Sequence, residues 1–252
     1  MITVFTCEND FTAMFSCIHA AWSSRLGHEH VRLQVEPVEQ MNLFENYVHV
    51  DADEKKAESV IYAINCKISP AFYAQISYCL GAYEQDTLDT IYRVLILGFA
   101  YGEHILSMYQ YKDITRFLEI SRRYGGEAHS FLEFLRFHCI GGKLFVAHIE
   151  PKSRVVMPVA EHFADRMPSE YWIIVDDIHK EAAIHPADSA YYMYYLTDEE
   201  MDKLKLTEKE NDSYTFLWKT YFDTIAIKER KNPKCQLYHF PIWKRSHAVE
   251  FL

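Results

Sequence analysis

Glycine and proline are scarce in this chain, eight of each among 252 residues, which excludes collagen-like and Gly/Pro-rich disordered architectures. Long apolar runs are lacking too: none approaches the roughly 20 residues that cross a bilayer as a helix. The N-terminus, Met1-Ile-Thr-Val-Phe-Thr-Cys-Glu-Asn-Asp10, has no basic stretch and turns acidic at Glu8. No secretory signal is therefore expected, and the cytoplasm is the expected location. The six cysteines (Cys7, Cys17, Cys66, Cys79, Cys139, Cys235) never form the close pairs that bind zinc or an iron–sulfur cluster. They read as ordinary thiols, mostly core fillers, and the chain is expected to hold no cofactor and no metal of its own. A Ser-centred nucleophile elbow and a Gly-rich phosphate loop are likewise missing.

What the chain has is apolar and aromatic mass, 49% hydrophobic and 15% aromatic residues, enough for a packed core. Its net charge of −10 is unevenly spread. Residues 1–110 hold six Lys/Arg against fourteen Asp/Glu, whereas residues 216–252 hold seven against three, interleaved with Phe, Tyr and Trp. An acidic body repels phosphate, and only a local cationic face reverses that within the screening length of about 8–10 Å. Cations alternating with stackable rings suit a single-strand binder. A buried amphipathic helix followed by a solvated tail accounts for the same residues.

Hydrophobic periodicity predicts a strand over 2–6, a helix from an Asn9/Asp10 cap to about Trp22, an irregular connection over 23–46 and a short strand over 47–50. Helices follow from Asp51/Asp53, from Ser69-Pro70 and from Asp86. Gly98 and Gly102 in the last of these point to close backbone packing. A long helix over 113–138 keeps its phase through Gly125-Gly126. From residue 143 the period drops to two, with strands over 143–149, 154–157, 171–176, 181–185 and 190–196 and a short helix at about 158–166. A charged, solvent-facing segment is expected near 200–211. A helix over 213–227 is expected to bury Tyr214, Leu217, Trp218, Tyr221 and Ile225, and an extended tail to run past Pro233 and Pro241. The expected fold class is α+β, in one domain over 1–252. An N-terminal helical half (1–138) is joined to a small antiparallel meander sheet (139–252) closed by the C-terminal helix.

Candidate chemistry is sparse. His28-Glu29-His30 would put two imidazoles on one strand face, but without further ligands nearby it reads as a solvated surface. His162, Asp165 and Arg166, at i, i+3 and i+4, share a helix face. A carboxylate beside an imidazole orients a general base, and the same trio without a nucleophile is an ion network docking a short helix. Asp176-Asp177, at a strand end, would hold a divalent ion only with Glu150 or Asp188, and acids at turns are common without one.

Several segments carry a resemblance that spans nearly the whole chain: Glu127-Ala-His-Ser-Phe-Leu-Glu-Phe-Leu-Arg-Phe137, Ala147-His-Ile-Glu-Pro151, His162-Phe-Ala-Asp-Arg-Met-Pro168 and Trp172-Ile-Ile-Val-Asp176. Leu217-Trp-Lys219, Ile225-Ala-Ile-Lys-Glu-Arg-Lys-Asn-Pro233, Gln236, Pro241 and Arg245 extend it to the C-terminus. In them the sequence resembles a bacterial family of DNA-metabolism and DNA-repair proteins of unknown biochemical activity. That family is typically encoded beside a radical S-adenosylmethionine protein similar to spore photoproduct lyase, and some members are fused to a uracil-DNA-glycosylase-like domain. Ile242 stands where the family usually carries a basic residue.

The resemblance implies a DNA partner and a radical S-adenosylmethionine partner that performs the chemistry, and it supplies no catalytic residues. Joined to the charge pattern, it makes Arg122, Arg123, Arg136, Lys219, Lys228, Arg230, Lys231, Lys234, Trp243, Lys244 and Arg245 the expected nucleic-acid-binding residues. The alternatives are an enzyme acting on a damaged base or nucleotide, with His162, Asp165 and Arg166 in its pocket, and a protein adaptor without DNA contact.

Overall fold

The β-branched and aromatic N-terminal run forms β1 (Ile2–Cys7). Asp10 then starts α1 (Phe11–Ser23) by accepting the Ala13 N–H at 3.0 Å, as an N-cap side chain does. The structure, a computed structural model, describes residues 1–38, 40–207 and 213–251, the side chains of 205–207, 213–215 and 228 excepted. Expectations placed on Tyr214, on the Lys228 side chain and on 208–211 lie outside the described residues. The fold is α+β, and the chain divides into two compact units, Met1–Tyr124 and Gly125–Leu252, at the Gly125-Gly126 pair.

In the first unit, β2 (Val31–Val35) and β3 (Glu45–His49) run parallel to β1 on either side of it. The strands expected over 2–6 and 47–50 are present as β1 and β3, and one expectation is corrected: residues 23–46 are not irregular throughout, since they hold β2. Val31 and Leu33 alternate with polar Arg32 and Gln34 and are buried, a period-two signal too short to stand out from its polar flanks. Helices α2 (Glu54–Lys67), α3 (Pro70–Cys79) and α4 (Thr87–Tyr101) complete the core. Asp53 and Ser69 cap the first two of these, accepting N–H bonds from Lys56 and Phe72. Asp89 on α4 accepts the Leu33 N–H at 3.0 Å, and Arg93 donates to the carbonyls of His28 and Val31, so α4 holds the outer edge of the sheet.

A Cβ at Gly98 would lie 2.8 Å from Cζ of Phe72 and 3.0 Å from Cδ1 of Ile68. Phe72 is buried and cannot swing aside. Gly98→Ala therefore gains about 1 kcal/mol of helix propensity against an overpacking cost of roughly 1–3 kcal/mol. A net loss of about 1 kcal/mol is expected in urea unfolding; a variant more stable than the parent would show that α3 and α4 are free to part.

Helix α5 (Lys112–Phe134) carries the chain across the division. In the second unit the strands are β4 (His138–Ile140), β5 (Leu144–Ile149), β6 (Tyr171–Asp176), β7 (Glu181–His185) and β8 (Tyr192–Tyr195), hydrogen-bonded in that order. The sheet is mixed, where a meander was expected: β5 and β6 pair in parallel, from Leu144↔Tyr171 to Ile149↔Asp176, and the other neighbours are antiparallel. The expected strand at 154–157 is replaced by an irregular lead-in at Arg154 and Val155 and the first turn of α6 (Val156–Arg166), the crossover that a parallel pair requires. Val156, Val159 and Ala160 of α6 are fully buried.

Helix α6 packs on β6 and β7, and Met201 of α7 (Asp198–Thr207) packs with Val146, Val175 and Ala182. This corrects the expected closure by the later helix, α8 (Ser213–Ile225), whose Leu217, Trp218, Tyr221 and Ile225 are exposed. The segment expected to be an extended tail contains α9 (Pro233–His239), started by Asn232, whose Oδ1 accepts the Cys235 N–H at 3.1 Å. Among the described residues no helix is long and apolar enough to cross a membrane.

Candidate functional site

A parallel strand pair directs both carboxyl ends to one edge of the sheet, where α/β folds commonly place their ligands. At that edge of the second unit β5 delivers His148 and Glu150, and β6 delivers Asp176 and Asp177. The loop after β5 is fixed from α5. Glu127, buried on that helix, accepts the backbone N–H of Lys152 at 2.6 Å and that of Ser153 at 3.4 Å through one oxygen. The turn after β6 is fixed by Asp176. Its Oδ1 accepts the N–H groups of Ile178 and His179 at 2.9 Å, and its Oδ2 lies 2.6 Å from Nδ1 of His179. Glu181, opposite Asp176 in the β6–β7 register, is held by Arg154 at 3.2 Å. Burial pushes the Glu181 carboxyl above its ordinary range, Arg154 pulls it back, and Asp176 adds to the rise.

The C-terminal segment returns to this edge. Nε2 of His247 lies 3.4 Å from Oε1 of Glu150 and 3.4 Å from Oδ2 of Asp177. Ser246 donates to the other oxygen of Glu150 at 2.7 Å. His148 is buried, and its Nδ1 lies 3.2 Å from both oxygens of Asp177. A carboxylate only accepts, so Nδ1 carries a proton, and in the neutral ring Nε2 keeps a lone pair. Among the described residues that Nε2 is buried without a hydrogen-bond partner, in a ring that lines a small cleft with Glu150, Lys244 and His247. Donor atoms of Glu150, Asp177 and His247 all lie within 4.8 Å of one another. Of the two acids the sequence offered as companions for Asp177, the structure brings up Glu150.

The expected nucleic-acid-binding residues divide. Arg122 and Arg123 belong to the first unit; both are exposed, and Nη1 of Arg123 lies 3.7 Å from Glu84. Arg136 is engaged by Glu250 at 2.6 Å and lies over the Trp218 ring. Arg245 donates to the Phe240 carbonyl at 2.8 and 2.6 Å, with its guanidinium over the Phe240 and Phe251 rings. Both arginines fasten the C-terminal segment rather than presenting charge outward. Lys219 is half-buried, while Arg230, Lys231 and Lys234 are exposed.

Trp243 is partly exposed, with Nζ of Lys152 at 4.9 Å and Nζ of Lys244 at 5.1 Å from its ring centroid. Lys244 also donates to Oγ of Ser130 at 2.7 Å, and burial holds its ammonium below the ordinary lysine value. His162, Asp165 and Arg166 lie exposed on α6. His28 anchors locally, with Nδ1 at 2.8 Å from the Tyr92 hydroxyl.

Sequence reasoning did not find the roles of Glu127, His148, Ser246 and His247. The first two stand inside the quoted motifs, but their convergence depends on the C-terminal segment folding back. A family model described as a domain of unknown function, DUF4130, matches residues 85–250. That is more than half of the chain, so the chain belongs to this family, and every residue of the cluster falls within the match. No curated protein matches.

Proposed function

We propose that this protein is a DNA-repair or DNA-modification accessory factor of the bacterial cytoplasm. It binds nucleic acid through its C-terminal segment and works with a radical S-adenosylmethionine partner that performs the chemistry. The observation that carries the reading is Trp243, bracketed by the ammonium groups of Lys152 and Lys244. The two ammonium groups would attract a phosphate to the side of a partly exposed indole on which a base can stack. Arg230, Lys231, Lys234 and Tyr238 are exposed on the same C-terminal segment, cations and a ring open to a phosphate backbone and its bases. The partner and the pathway are supported by the family resemblance.

Fluorescence anisotropy with labelled single-stranded and duplex oligonucleotides across a salt series tests the reading. Trp243→Ala is expected to weaken binding by about tenfold, within the roughly 1–3 kcal/mol that stacking contributes per base. Lys231→Glu with Lys234→Glu is expected to flatten the dependence of log K on log salt. Affinity indifferent to salt, or unchanged in both variants, would remove the proposal.

A further inference from the structure

We infer that Glu150, Asp177 and His247 form a binding site for one divalent first-row transition-metal ion, zinc or manganese in class, with His148 positioning Asp177. The inference stands apart from the nucleic-acid reading, because it concerns different side chains and is tested without nucleic acid.

The distances favour ligation over simple ion pairing. Nε2 of His247 stands 3.4 Å from an oxygen of each carboxylate, longer than the roughly 2.7–2.9 Å of a charge-assisted hydrogen bond. Ligands held about 2.0–2.1 Å from a tetrahedral ion lie about 3.3–3.4 Å apart along each edge. The donor set also fits: one imidazole with two carboxylates suits zinc, manganese or ferrous iron, whereas magnesium and calcium favour oxygen alone. Both carboxylates are already oriented by a neighbour, Glu150 by the Ser246 hydroxyl and Asp177 by His148, and metal sites depend on such outer contacts.

A second, independent observation points to a ligand. The His148 side chain is 1% exposed, yet among the described residues its Nε2 has no hydrogen-bond partner, and its ring lines the cleft shared with Glu150 and His247. A buried lone pair without a donor is unfavourable. Water bound to an ion in the cleft is a strong donor and would satisfy it, leaving one open position of the kind catalytic metal sites keep. The neighbouring cluster of Asp176, His179 and Glu181 has no such vacancy. Its Asp176 is occupied by the turn and by His179, and its Glu181 by Arg154.

The test uses the full chain stripped with chelator and titrated with Zn²⁺, then Mn²⁺, by calorimetry, with Co²⁺ absorption reporting the geometry. One equivalent of Zn²⁺ per chain is expected, with a rise in Tm on binding. Glu150→Gln and His247→Gln should each weaken binding at least about tenfold, while His162→Gln, on the exposed face of α6, binds as the parent does. Glu150→Gln is isosteric at a side chain 40% exposed, so it decides the matter even if the His247 variant fails to fold. No saturable binding by the parent, parental affinity in Glu150→Gln, or an equal loss in His162→Gln would overturn the site.

Discussion

Arg136→Ala is expected to lower the stability of the second unit by about 3 kcal/mol, the low end of the cost of breaking a buried ion pair. The guanidinium donates to Oε1 of Glu250 at 2.6 Å, and the Glu250 side chain is 3% exposed against 22% for Arg136. Removing the arginine leaves a buried carboxylate whose remaining described partner is the Trp218 indole N–H, 3.2 Å from Oε2. It also leaves the carbonyls of Glu133 and Leu135 without the donor they share. The partial exposure of Arg136 keeps the estimate at the lower end.

Denaturant unfolding measures the loss, and Arg136→Met combined with Glu250→Gln separates its causes. The double variant buries no charge and should recover more than half of the deficit. Amide exchange over 240–251 should rise in Arg136→Ala alone. A deficit below about 1 kcal/mol would place the pair with solvent-screened surface bridges. Because this pair fastens the segment that carries Trp243, Lys244 and His247, its loss should also weaken both proposed binding activities.

Much of this fold was legible in the residues, and the misses share a physical origin. Cap signals located α1, α2 and α3, because an N-cap acts within a few residues of itself. Asn232-Pro233 is the same kind of signal as Ser69-Pro70, but prolines at 233 and 241 also suit the extended tail expected there, so the pattern alone does not single out α9. Periodicity names the residues that share a face but not what covers it. The stripe of α8 is periodic and exposed, whereas the less amphipathic α7 supplies Met201 to the sheet.

Strand order is beyond periodicity as well. The parallel pairing of β5 with β6 depends on α6 crossing between them, and that pairing is what brings Glu150 and Asp177 to one edge. Charge density was visible in the C-terminal segment, but the partners of each charge were not. Arg136 and Arg245 look like phosphate ligands in sequence and turn out to be internal fastenings. The convergence of His148 and His247 required long-range closure that neither motif spells out alone.

Glu127→Ala is expected to cost about 2–3 kcal/mol, and Glu127→Gln clearly less, because what the site needs there is an acceptor oxygen at the right depth. The carboxylate is buried and takes the N–H groups of Lys152 and Ser153 on one oxygen. Hydrogen bonds to a charged group contribute roughly 1.5–3 kcal/mol, and leaving buried donors unpaired costs about as much. Gln keeps an acceptor of the same reach; Ala keeps neither the acceptor nor the volume; Asp, one methylene shorter, should behave more like Ala.

Chemical denaturation ranks the three variants, and exchange rates of the Lys152 and Ser153 amides localise the effect. Those rates should rise in Ala and Asp and stay near the parent in Gln. The consequence for function follows from where the loop leads. Glu150 and Lys152 leave the end of β5 on this support, one toward His247 and the other toward Trp243, so a slack loop should weaken metal binding and oligonucleotide binding together. Equal stability of the Ala and Gln variants would mean that packing of the side-chain stem, and not the two amide bonds, holds the loop in place.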